Sequence, residues 1–550
     1  MKQAGSWLFV GLLVLLVACG KAPTAPAMVE GQAVDGGLGS IDLDQGWSHA
    51  YQDGASFASF GSRLLLADWM RHLERAGSTE RFVADAHMDA LGFIVQSPGP
   101  SNPGGYPVGF TREHDSEGRE WVGLGCAACH TGQVDYRGTR MRIDGGQAMI
   151  DFDAFEGELV ESLSATAERG PKFERFADAI GVAKEARPAL REALVVRAQT
   201  LDARHRMNQS PVPYGPGRLD AFGQIFNAVA VTFLGIADNQ RVPDAPVSYP
   251  VMWDASHLDL VQWNGSAPNA GPGPLLQNVT TALAVYGALD INHDDALPGY
   301  SSDIDFEKLG QIQDWFYQLK SPQWPTHVLG ELDAQRVARG QTLYAGECQS
   351  CHVLSDRDDP RRELKAMLTP LDEIGTDPRM ARNFLDADAE TGPWKGEKVA
   401  FVAGDVLGER APTIDLVAHA AIGATLRHPV EGVRDAVASM HHVYKAGLSK
   451  DPDYYKARPL SGIWASAPYL HNGSVPSLVE LLKPPTERLA SFHVGNREFD
   501  PENVGLETGE GPHSSLFDTS LPGNGNGGHD YGTALSAEDK RDLLEYLKSL

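Results

Sequence analysis

Four of the five cysteines in this 550-residue chain form two pairs of one pattern, and a histidine follows each pair at once. The first run is Cys126-Ala-Ala-Cys129-His130 and the second is Cys348-Gln-Ser-Cys351-His352. Two thiols at this spacing reach the two vinyl groups on one edge of a porphyrin. The next residue then lies under the ring, where its imidazole can bind iron. C-x-x-C-H is therefore the pattern of covalent haem attachment. Two other readings compete. A disulfide or thiol redox pair suits an exported chain but does not explain a histidine in both places. A four-cysteine zinc site needs pairs 222 residues apart to meet, and it leaves both histidines idle. The pattern predicts two covalently bound haem c groups, with His130 and His352 as the proximal iron ligands.

The fifth cysteine, Cys19, closes a leader. Lys2 precedes an apolar run, Trp7 to Ala18, that is too short to span a bilayer. The following Leu16-Val17-Ala18-Cys19 resembles a bacterial lipobox. Residues 1–19 are expected to be a lipoprotein signal in which Cys19 is acylated and anchors the chain to a lipid membrane. Gly20 in place of Asp implies the outer membrane, by likeness to Gram-negative sorting signals, and so a location in the cell envelope. Residues 20–45, rich in Gly, Ala and Pro, read as a flexible tether. The formal charge of -26 argues against nucleic acid as a partner and favours docking with a small basic redox protein such as a cytochrome.

Along the rest of the chain, apolar spacing predicts helices over 57–76, 80–91, 155–200, 218–231, 276–288 and 305–319. Residues 242–274 carry many Pro, Trp and Gly without periodicity and read as a long irregular stretch. Ser321-Pro-Gln-Trp-Pro325 is the best linker candidate. It separates an expected N-terminal haem c domain, 46–322, from a C-terminal cytochrome c domain, 326–550. The second domain opens with a helix capped by Asp333, which delivers Cys348. It closes with another that starts at Ser536 and carries Leu543, Leu544, Leu547 and Leu550 on one face. Gly340 and Tyr344 stand four apart on the opening helix, as in class I cytochromes c. The expected fold is mainly α and loop-rich, with two class I cytochrome c-like haem domains and long irregular insertions.

Longer stretches resemble the bacterial di-haem cytochrome c peroxidase superfamily. The most specific is Lys456-Ala-Arg-Pro-Leu-Ser-Gly-Ile-Trp-Ala-Ser-Ala-Pro-Tyr-Leu-His471-Asn-Gly-Ser-Val-Pro-Ser-Leu478. Others are similar to one branch, the rubber oxygenases and their di-haem relatives. These are Gly125 to Gln133, Gly217-Arg-Leu-Asp-Ala-Phe222, Pro246-Val-Ser-Tyr-Pro-Val-Met-Trp253 with Val261-Gln-Trp-Asn-Gly265, and Asp518-Thr-Ser-Leu-Pro-Gly-Asn524.

The resemblance implies particular roles. In the peroxidases a Met shortly before the last helix is the distal ligand of the second haem. Here His529 occupies that place, implying a bis-histidine haem; His471, Met440, His441 and His442 are its rivals. His471 is expected to line the haem pocket. No histidine lies between His130 and His205, where the peroxidases supply a distal ligand to the first haem. The first iron is therefore either open or ligated from a distant part of the chain. Trp253 or Trp263 could relay electrons between haems, or either could be core or tunnel packing. Arg137, Arg140 and Arg142 are candidates to pair with haem propionates.

The expected function is a di-haem oxidoreductase that moves electrons between a bis-ligated C-terminal haem and an oxidant-binding N-terminal haem, as a peroxidase does. The alternatives are a rubber-oxygenase-like dioxygenase that uses dioxygen to cleave an apolar polyene, and a non-catalytic electron carrier at the membrane surface.

Overall fold

The computed structural model describes residues 40–269, 273–292, 298–428 and 453–550. Cys19, Met440, His441 and His442 lie outside them.

The fold is mixed α and β, which corrects the expectation of a mainly α chain with two cytochrome-like domains. Helices make up 39% and strands 16% of the described residues. The described strands form nine small sheets of two or three strands each. The difference begins at residues 57–66, where apolar spacing suggested helix. Phe60, Leu64 and Leu65 are indeed buried. Gly61, however, has φ +108°, and a Cβ there would meet the carbonyl oxygen of Asp303 at 2.2 Å. No helix can pass through such a residue. The stripe reported burial, and helix is confined to His49–Phe57 and Ala67–His72 on either side.

Strands, rather than helices, carry the first C-x-x-C-H motif. Glu120–Leu124 lies between Phe110–His114 and Leu65–Leu66 in an antiparallel sheet. The motif follows as a single helical turn, Cys126–Cys129. The chain then enters a hairpin, Thr131–Tyr136 paired with Thr139–Asp144, with Ser40–Asp42 parallel to its second strand. Arg137 (φ 49°) and Gly138 (φ 84°) make the two-residue turn, whose left-handed pair matches the strand twist. Gly109 touches the motif so closely that a Cβ would lie 2.1 Å from the Ala128 nitrogen.

Three helices follow: Phe152–Ala167, Pro171–Ala179 and Arg187–Met207. Pro171 and Pro188 stand in first turns, where a missing N–H costs nothing. Phe82, Phe110, Phe155 and Phe176 centre one hydrophobic cluster here. A larger cluster draws on both sides of residues 321–325, from Phe60 and Trp253 to Tyr344 and Leu543. Residues 242–269 hold only two-residue strands and one short 3-10 turn, in keeping with the irregular stretch expected there.

The second half matches its expected frame. Asp333 caps Ala334–Glu347 by accepting from the Gln335 and Arg336 N–H groups, and Ser536 caps Ala537–Ser549. The two helices cross at Gly340, where a Cβ would sit 2.0 Å from the Asp542 carbonyl oxygen. Asp542 also binds Arg336 at 2.9 Å and Arg339 at 2.6 Å. Tyr344 packs on Tyr546, and its hydroxyl donates to the His352 carbonyl at 2.7 Å.

This crossing yields a stability prediction. Gly340→Ala should push the closing helix off and cost about 1–3 kcal/mol, read as a lower urea midpoint with an unchanged slope.

Candidate haem centre

Each motif histidine has one ring nitrogen committed to a main-chain carbonyl. His130 Nδ1 lies 2.8 Å from the Pro250 oxygen, and His352 Nδ1 lies 2.7 Å from the Arg458 oxygen. A carbonyl can only accept, so Nδ1 carries the proton in both rings. Nε2 is left with a lone pair for a metal. Burial holds His130 down to about 4 and lowers His352 as well, keeping both imidazoles in the neutral form that ligates iron. The four motif cysteines are half-buried and form no disulfide. Burial raises the thiols of Cys126 and Cys348 to about 11.

Cys348, Cys351 and His352 open onto a cavity of about 190 Å³. His529 faces His352 across it, with ring centroids 6.1 Å apart and planes at 53°. Two metal–imidazole bonds of about 2 Å, with each ring centre about 1 Å behind its nitrogen, put the centroids roughly 6 Å apart. His529 Nδ1 is buried with no hydrogen-bond partner, and burial pulls the ring down to about 3. The residues present thus fit a haem with an iron between the two rings.

His529 is in the left-handed region (φ 50°), and its N–H donates to the Ile374 carbonyl at 2.8 Å. Arg488, 6% exposed, gathers the loop. Its guanidinium donates to the carbonyls of Asn526, Gly528 and His529 at 2.7, 2.8 and 3.0 Å, and to that of Leu481 at 3.1 Å.

His471 lines the same cavity and stacks on Tyr455 with centroids 4.2 Å apart. Trp263 also lines it; its indole donates to the Ser248 carbonyl at 3.0 Å. Trp253 is buried, and its indole donates to the Ser461 carbonyl at 2.7 Å. A short ladder therefore joins the two motif histidines. Trp253 stands three positions after Pro250, which holds His130. Ser461, which receives Trp253, stands three positions after Arg458, which holds His352. Arg142 is paired with Asp144 at 2.8 Å, Arg140 lies 3.7 Å from Asp135, and Arg137 covers the Tyr136 ring.

One buried arginine joins three of the stretches that carried the resemblance. Arg218 donates to Asn524 Oδ1 at 2.8 Å, to the Asn472 carbonyl at 3.4 Å and to the Tyr214 carbonyl at 2.8 Å. It also covers the Phe517 ring. Asn472 Nδ2 in turn donates to the carbonyls of Gly523 and Gly525. The peptide after His471 and the loop before His529 are thus tied through Arg218 and Asn472.

Sequence reasoning missed Arg488 and Tyr249, whose hydroxyl contacts Cys129 while the residue lines the cavity of the second motif. Tyr249 stood within a stretch already singled out. Arg488 bore no signal, because its partners are all carbonyls.

A family model described as RoxA-like, cytochrome c-like matches residues 454–493, the segment that runs through Arg458 and His471. That segment of the chain is thus cytochrome c-like, which implies covalently bound haem c. The uncharacterized protein y4iJ of Sinorhizobium fredii is 30% identical over 92% of this chain and 93% of its own length. The chain belongs to one family with y4iJ. The uncharacterized protein y4iM of the same organism is 26% identical over 59% of this chain and 69% of its own.

Arg218→Met should cost at least about 3 kcal/mol, since charge-assisted bonds are worth about 1.5–3 kcal/mol each. The check is thermal unfolding followed by Soret absorbance, with a lowered midpoint expected.

Proposed function

We propose that the chain carries two haem c groups and works as a haem oxidoreductase with one electron-storing and one reactive site. The observation that carries this reading is the 6.1 Å spacing of His352 and His529 around a cavity that also holds Cys348 and Cys351. Haem c supplies one-electron transfer wherever it is bound, and reaction with a small oxidant where one axial position stays free. At the second site His352 and His529 would hold the iron, which would suit storage and transfer. At the first site His130 would hold it. No histidine follows it before His205, and His205 points instead to Asp153 and Glu156.

The residues of the chain then divide the work. Pro250 and Arg458 orient the two proximal rings, Arg488 holds the loop of His529, and Trp253 spans the ladder between the sites. Its buried indole, which donates to Ser461, supports a role in electron relay. The RoxA-like match favours an oxygenase that uses dioxygen on an apolar polyene over a peroxidase. The lack of a histidine soon after His130 points the same way. Anchoring through Cys19 at the cell envelope, and electron exchange with a small basic redox protein, complete the proposal. The acidic charge supports the second of these. No described helix is long and apolar enough to cross a membrane.

Two experiments test the reading. Cys126→Ala with Cys129→Ala, and Cys348→Ala with Cys351→Ala, should each lower the pyridine haemochrome count from two haems per chain to one. A count of one in the parent protein would sink the proposal. His529→Ala should convert one low-spin ferric signal to high-spin in electron paramagnetic resonance, and the ferrous form should gain carbon monoxide binding. An unchanged low-spin signal would remove His529 from the iron.

A further inference from the structure

Among the described residues, Lys456 and Arg458 are the only lysine and arginine that line the cavity of the second motif. Neither forms an ion pair with a described residue. The Lys456 ammonium has one long contact, to the Leu260 carbonyl at 3.4 Å, and Arg458 Nη1 has one, to the Pro459 carbonyl at 3.5 Å. The acids nearby do not reach either cation at bonding distance, and Asp254 Oδ2 is buried without a hydrogen-bond partner. Asp254 Oδ1 binds Arg362 at 2.6 Å and Ser355 at 3.2 Å, and Asp259 accepts from the Ala366 N–H. The single acid in the lining, Glu347, adjoins Cys348 and pairs with neither cation. Leucines dominate the wall around the motif, among them Leu478, Leu482, Leu543 and Leu547.

Two cations facing a largely apolar cavity are costly unless an anion joins them. Burial, reinforced by the Arg458 charge, pulls the Lys456 ammonium down to about 7. The described residues offer the pair no carboxylate at bonding distance, only the more distant charges of Asp259 and Asp254, so an anionic occupant would supply the close counter-charge. A haem fixed by thioethers on one edge carries two carboxylates on the opposite edge.

We propose that Lys456 and Arg458 form the propionate-binding site of the second haem, each meeting a haem carboxylate with a charge-assisted hydrogen bond. This rests on the two-haem reading above. It assigns to these residues a second task, setting the potential of that haem. A cation beside a propionate favours the reduced iron, which carries one positive charge less.

The test is redox titration of the bis-histidine haem in the full chain carrying Lys456→Met or Arg458→Met. Each variant should weaken the reduction equilibrium about tenfold, a fall of about 59 mV for one electron. Lys456→Arg and Arg458→Lys should restore the parent value. Methionine variants that attach both haems yet stay within twofold of the parent would overturn the assignment. Failed restoration by the conservative variants would also overturn it. Should a methionine variant lose its haem, the propionate bending band in the resonance Raman spectrum of the parent decides. A band shifted by hydrogen bonding supports the site, and one at the frequency of a free propionate refutes it. A tryptic peptide spanning Cys348 to His352 without haem mass would instead refute the two-haem reading itself.

Discussion

Each motif histidine depends on one hydrogen bond from Nδ1 to a main-chain carbonyl, and much of the fold serves to place those two carbonyls. A free imidazole could present either nitrogen to a metal. The carbonyls of Pro250 and Arg458 remove that choice and fix the ring plane. Both lie more than a hundred residues from the histidine they hold, so neither motif is complete until distant chain has folded onto it. The irregular stretch from 242 to 269 follows from this demand. A strand or helix commits its carbonyls to its own ladder, whereas an extended loop leaves Pro250 free to accept from a side chain.

The same logic extends to the opposite face of the second site. His529 sits at the end of a glycine-rich loop with no regular structure to hold it. Arg488 supplies donors to three carbonyls of that loop, and the Ile374 carbonyl takes the His529 N–H. A planar guanidinium suits this task, because its donors form a rigid fork that a lysine cannot imitate. Arg218 does similar work one layer out, joining the loop through Asn524 to the peptide of Asn472. Around the site, buried arginines supply hydrogen bonds in place of the ladder bonds that loops lack.

What the sequence revealed follows from where the signal resides. Cys126, Cys129, His130 and their counterparts were legible because the chemistry demands adjacent side chains. The pair of helices at 334–347 and 537–549 was legible from Asp333, Ser536 and the apolar face of Leu543 and Leu547. His529 was placed only through resemblance, and the geometry sets it opposite His352. The strands about the first motif were not legible. Phe60, Leu64 and Leu65 are spaced as on a helix, but Gly61 turns the chain against Asp303, and only the tertiary contact requires it. Pro250 and Arg458 act through main-chain oxygens, which no residue type announces.

The ladder from His130 to His352 bears on how two such sites work together. Three hydrogen bonds and two three-residue steps connect the rings, and Trp253 at its centre is almost wholly buried. Moving one ring relative to the other strains the ladder, so the separation of the sites is set by close packing rather than by a hinge. On the proposed reading, two imidazoles hold the second iron at a lower potential than a histidine–methionine pair would. A low-potential store fixed at constant distance from a reactive site favours electron flow towards the first haem. The propionate cations act against that drive, so Lys456 and Arg458 would set how far downhill the electron runs.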